Sequence, residues 1–260
     1  MTGSRVRRVV TGGAAALLCA ALALPAASAA VRVKVLPAPT ADYSAPFLPA
    51  TMPLATATAW ITSALSARAT ALTTLSGAIS GSASLPVSDR STLSSTVATD
   101  ASAVSALEQK VPTETTIAAL RGDVQAMVGA HILLLVTPVV NEVIAADGDL
   151  ASAKALRRQS AALGAAITAA GQKRSTARLN ADHRDLDNRL NAVTADVGNL
   201  PATLLALQPQ DFPATQPSTW QGNGALARAD RALSTANSDV ANIVRLLAHP
   251  ARTASVRTAA

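Results

Sequence analysis

Ile132-Leu133-Leu134-Leu135-Val136-Thr137-Pro138-Val139-Val140-Asn141-Glu142-Val143-Ile144 puts apolar side chains on every face of a helix. A helix that is apolar all round is one that neighbours cover all round. Pro138 lies inside the run and predicts a kink. Asn141 and Glu142 argue against a membrane span. The stretch therefore reads as the middle of a buried helix, and the rest of the chain has to supply what covers it.

Outward from this run the apolar residues keep to one stripe. Upstream it is marked by Ile117, Leu120, Val124, Val128 and His131; downstream by Leu150, Leu156 or Arg157, Leu163 and Ile167. This spacing predicts one long kinked helix from about Thr113 to Ala170, started by Pro112 and Thr113. A break at Asp147-Gly148-Asp149 is the alternative.

Two shorter helices precede it. Ile61, Leu65, Leu72, Leu75 and Ile79 fall on a 4-3 spacing, with Arg68 in the missing slot. Gly81 and Pro86 end that helix, and Ser88 or Asp89 is placed to cap the next. There Leu93, Val97, Val104, Leu107 and Val111 repeat the spacing, with Asp100 in the missing slot. The favoured reading has both charges reaching water past neighbouring alanines.

Two more helices follow. One carries Leu179, His183, Leu186, Leu190, Val193, Val197 and Leu200; the other carries Leu226, Leu233, Val240, Val244 and Leu247. Between them residues 201–224 read as a loop with a short helix at Ala202–Leu207, holding Phe212 and Trp220. The lengths predict an all-α fold: an elongated antiparallel bundle, drawn as two three-helix bundles sharing the long helix. A single shorter bundle of five or six helices is the rival arrangement.

The ends of the chain read differently. Arg5, Arg7 and Arg8, then the apolar Val9 to Leu24, then Pro25 and the small-residue site Ala27-Ser28-Ala29, predict a secretory signal peptide over 1–29, cleaved after Ala29. Residues 30–57 carry Pro37, Pro39, Pro46, Pro49 and Pro53 and read as an extended arm pinned by Tyr43 and Phe47. The bundle is expected over 58–248, with halves 58–137 and 138–248, and a disordered tail over 249–260.

Composition bounds the function. The signal holds three of the 22 basic residues and none of the 16 acidic ones, so cleavage lowers the net charge from +6 to +3, that is 19 against 16. Basic residues are scattered and aromatics are only 2% of the chain, which argues against a nucleic-acid groove. The one cysteine, Cys19, lies in the signal, so no disulfide and no thiolate metal site is expected. Alanine, roughly a quarter of the chain, favours helix and close helix approach.

No G-x-S-x-G turn, Gly-rich phosphate loop, H-E-x-x-H or C-x-x-C occurs. His131 and His183 both fall on apolar stripes. A buried site shared with Glu142 is one reading; core histidines bonded to a neighbour is the favoured one. Asp182, Asp185 and Asp187 surround His183, but neither they nor Asp147-Gly148-Asp149 match a calcium loop. Asp185 with Arg189 and Arg178 with Asp182 read as i,i+4 pairs on a solvated face. No catalytic, cofactor-binding or metal residue is assigned.

Ser88-Asp89-Arg90…Leu93, Leu120-Arg121-Gly122-Asp123-Val124…Val128, Pro138-Val139…Val143-Ile144-Ala145-Ala146-Asp147 and Asp211-Phe212-Pro213 together resemble a group of secreted, alanine-rich helical proteins of high-GC Gram-positive bacteria. The resemblance covers most of the chain after the signal. It departs at Ala130-His131-Ile132, where the group tends to carry tyrosines, and from Thr215 to Gly222. The group has no established activity, so the resemblance implies a compartment and a fold, and no reaction or site. The expected role is that of an exported, non-enzymatic helical protein acting by surface contact, with another envelope protein as partner. The alternative is a binding module for an apolar or lipid-like ligand near 132–144.

Overall fold

The computed structural model describes residues 48–171, 176–209 and 216–248, with the side chains of 216–221 left aside. The signal peptide, the arm up to residue 47 with Tyr43 and Phe47, Phe212 and the tail 249–260 lie outside the described residues. Every regular element among those described is helical: α1 Leu54–Gly81, α2 Val87–Lys110, α3 Ile117–Gly129, α4 Thr137–Gly171, α5 Ala177–Val197, α6 Leu200–Leu205 and α7 Gln216–Ala248. The fold is an all-α helical bundle.

Two apolar cores are strung along α4. The first joins α1, α2 and α3 to the start of α4, burying Ile61, Leu65, Leu72, Leu93, Val97, Leu120, Met127, Val140 and Val143 among others. The second joins the rest of α4 to α5 and α7, burying Leu156, Ile167, Leu186, Leu190, Val193, Ala229, Ala236 and Ile243. At about 1.5 Å per residue, the 35 residues of α4 make a rod of about 50 Å, enough for both cores to stand end to end. The short α6 bridges them. Leu204 is buried in the first core, while Leu200 packs against both.

The central path is not one helix. His131 adopts a left-handed conformation, φ 48°, the one positive φ at a non-glycine residue among those described. Its carbonyl accepts from the N–H groups of Leu134, Leu135 and Val136 at 3.1, 2.8 and 3.3 Å, so the chain re-enters through a wide π-type turn, Ile132–Val136. The turn ends just before Pro138. Proline has no N–H to donate, and a helix's opening turn is where a donor is not needed. The hydroxyl of Thr137 donates to the Ile132 carbonyl at 2.9 Å, which also accepts the Thr137 backbone N–H and so closes the turn. The interruption thus begins at His131, ahead of the proline, and Gly148 passes uninterrupted through α4.

Several boundaries differ from the sequence reading, for local reasons. Helix α1 starts at Leu54 rather than 58, because Pro53 stands just ahead of the first helical residue, where its missing N–H costs nothing. Helix α2 starts at Val87 behind Pro86, so Ser88 and Asp89 lie inside its first turn and do not cap it. Pro112 sits in a 3-10 turn, Val111–Thr113; the third helix begins at Ile117, with Thr116 accepting the Ala119 N–H at 3.2 Å. Helix α7 begins at Gln216, inside the expected loop, and takes in Trp220.

The path Ile117–Gly171 is long and apolar enough to cross a membrane by composition. Here 44% of its most apolar window is buried against other parts of the chain, with Leu133 and Ile144 partly covered. Leu48, buried in the first core, ties the incoming chain to it, and Arg121 Nε donates to the Leu48 carbonyl at 2.9 Å.

Candidate functional site

Polar groups inside an apolar bundle are where chemistry is sought first, since burial without a partner is costly. Among the described residues the buried ones are Asp123, Glu142, Asp147, Asp149 and Ser160.

Ser160 belongs to the one constellation with a catalytic look. It sits mid-helix on α4, 3% exposed, facing His183 and Asp187 on α5. The Ser160 hydroxyl lies 2.9 Å from His183 Nε2 and donates to Asp187 Oδ1 at 2.6 Å. His183 Nε2 also lies 2.8 Å from the Ser160 carbonyl oxygen. Asp187 Oδ2 is 3.9 Å from Nδ1. Gly164, one turn further along α4, makes room for the ring. A Cβ there would sit 3.2 Å from Cε1 and 3.4 Å from Nε2.

The proton directions settle what this arrangement can do. A carbonyl only accepts, so Nε2 carries the hydrogen. In that tautomer Nδ1 carries a lone pair, which gives the Asp187 carboxylate nothing to accept. A serine nucleophile needs the reverse: a hydroxyl donating to a bare Nε2, an Nδ1–H held by the carboxylate, and free N–H groups to receive an oxyanion. Here the serine proton points at the aspartate, and the N–H groups around a mid-helix serine belong to the helix. The geometry cross-links α4 to α5. Arg157 adds to this link, its Nη2 donating to the Leu190 carbonyl, Asn191 Oδ1 and Thr194 Oγ1 at 3.1, 3.2 and 2.9 Å.

The other expected residues are dispersed. His131 is spent on the left-handed turn, where burial pushes its imidazole pKa down. It is not brought together with His183 and Glu142. Asp185 and Arg189 do not pair along α5: Arg189 Nε reaches α7 and donates to Asp239 Oδ2 at 2.8 Å. Asp182 likewise accepts from Asn242 Nδ2 at 3.3 Å. Of the two seam charges, Arg68 turns onto its own helix, donating to the Ala64 carbonyl at 2.9 Å, and Asp100 is half-buried, its carboxyl pushed up by burial. No group of three or more His, Cys, Asp or Glu side chains is placed to hold a metal among the described residues.

Four carboxyl groups are buried among the described residues: Asp123, Glu142, Asp147 and Asp149. Asp123 is partnered, accepting from Lys110 Nζ at 2.6 Å. Glu142 has no hydrogen-bond partner on either oxygen, and burial pushes it up to about 8. Asp147 is pushed up to about 6, first by burial and then by Asp89 of α2 beside it. An open groove between α5 and α7 is lined by Asp185, Asn188, Arg189, Ala192 and Ala232.

Sequence reading passed over Ser160. Its signal was present: the apolar stripe of α4 runs Leu156, then Leu163 and Ile167, and the vacant slot between is Ser160, opposite a histidine that itself fills a seam slot. The chain matches no family model, no curated protein and no solved structure.

Proposed function

We propose that this chain is an exported, non-enzymatic helical protein that works by surface contact in the cell envelope or outside the cell, with another envelope protein as its partner. The observation that carries this reading is the use made of the polar side chains between α4 and α5. Ser160, His183, Asp187 and Arg157 spend their hydrogen bonds joining α4 to α5, leaving the outer faces of a two-core rod for recognition. The apparent signal peptide and the resemblance to secreted alanine-rich proteins support the compartment. The run 132–144 is filled by the chain's own side chains: Ile132, Leu135, Val136, Val139, Val140 and Val143 are all buried in the first core, so no observation favours a lipid carrier.

Cross-linking in intact host cells followed by pull-down tests the proposal. A reproducible envelope partner is expected, and it should survive Ser160→Ala and His183→Gln. Recovery of no partner would count against surface contact. Loss of a hydrolytic phenotype in the serine variant, with folding intact, would replace it with an enzyme.

A further inference from the structure

Between the two cores, α4 presents two carboxyl groups to the ends of other helices. Glu142 is 4% exposed and neither oxygen has a hydrogen-bond partner. It lies against Gly222, near the start of α7, so closely that a Cβ at that glycine would run into Oε2. The same Cβ would be 3.4 Å from Leu200 of α6. Asp147, 5% exposed, faces Asp89 in the first turn of α2. The junction therefore seats the beginnings of α7 and α2 directly on two carboxyl groups.

We propose that this junction is a proton-operated latch: neutral Glu142 and Asp147 let the starts of α7 and α2 lie on α4, and their ionisation lifts those helix ends away. An ionised carboxylate with no partner is among the costliest groups to bury, so a closed junction requires the neutral form. What surrounds the pair offers no relief. Among the described residues α7 and α6 bring Gly222 and Leu200 to Glu142, and no charged group acts on it. Asp89 is the one charged group acting on Asp147, and it has the same sign. Arg90, next to Asp89, is turned away, its Nη2 donating to the Ser82 carbonyl at 2.6 Å. Asp149 and His131 are the other titratable groups on this part of the path, and neither is a fixed cation. Opening exposes Glu142 and Asp147 to water.

Hydrogen exchange of the full chain between about pH 5 and about pH 9, corrected for intrinsic rates, tests the latch. Protection over 87–93 and 216–224 should fall by roughly tenfold or more across this range, while 61–79 and 186–197 keep theirs. E142Q should hold the α7 end closed at the upper pH, and D147N the α2 end. Should either variant fail to fold, a carbon-13 NMR titration of the wild-type carboxyl carbons takes its place, with midpoints well above the ordinary carboxylate value expected. Protection that ignores pH, an identical loss in wild type and both variants, or ordinary midpoints would each overturn the proposal.

Discussion

In the first lobe, threonine and serine hydroxyls on α1 and α2 fold back onto their own helices: Thr62, Thr70, Thr73, Thr74, Thr92, Thr96 and Thr99 each donate to the carbonyl four residues earlier. In the second lobe Thr168, Thr235 and Ser238 do the same, but longer side chains also reach across. Arg189 meets Asp239, Arg228 meets Asp196 at 2.7 Å, and Arg157 grips α5. The cores differ in the same sense. The first is filled by leucine, isoleucine and valine; the second substitutes Ala146, Ala153, Ala225, Ala229 and Ala236 at many of its contacts. Small residues bring helices close but remove less apolar area from water, at about 25 cal/mol per Å². One repeating pattern of apolar residues has thus produced a lobe whose helices share the pair Lys110 with Asp123 and a lobe that adds Arg189 with Asp239 and Arg228 with Asp196.

The sharpest way to break this comparison is at its bridge. Leu204→Ala should cost about 2–5 kcal/mol, because Leu204 is buried in the first core while its helix borders the second. Thermal unfolding should then separate into two steps by calorimetry where the wild type shows one. Leu65→Ala and Leu190→Ala, each fully buried in its own lobe, should cost a similar amount but lower different steps in that background.

The next effect follows from Glu142. Its proton is held more tightly in the folded chain than in the unfolded one, since burial raises its pKa from an ordinary 4.5 to about 8. The unfolded chain therefore loses the proton first. Stability is full below about pH 4.5 and declines as pH rises to about 8, by roughly 2–4 kcal/mol. Asp147 adds to the fall at the acid end of this window. Chemical denaturation across pH should show this slope, and E142Q should flatten its upper part.

Ser160→Ala leaves His183 without its hydroxyl partner and Asp187 without a donor, and should cost roughly 1–3 kcal/mol by urea denaturation. Smallest is Arg189→Ala, whose partly exposed pair with Asp239 is worth about 0.2–1 kcal/mol. Its value lies in the salt dependence. Added salt should erase the difference between this variant and wild type, whereas variants of the first core should be indifferent to it.

Much of this architecture was legible in residue spacing. The α1–α2 hairpin, the shared central path and the α5 and α7 stripes all follow from apolar residues recurring every three or four positions. What spacing does not carry is a change of handedness. His131 occupies a proper slot on the stripe, and a run that is apolar on every side looks the same whether the helix continues or restarts, so Pro138 is the only break that the run shows. The buried cluster was half visible. His183 and its aspartates stood out, while Ser160 did not, because serine among alanines reads as helix filler. Cross-helix partners such as Arg189 with Asp239 were hidden for another reason: along a helix the nearer partner is always in view, and the distant one appears only when helices have been placed side by side.

The placement of α6 has a consequence for how the molecule comes into being. A polypeptide is made from its amino end, yet Leu204, which the first core buries, comes from beyond α5. Synthesis must therefore run through α4 and α5 before the first core has its last side chain.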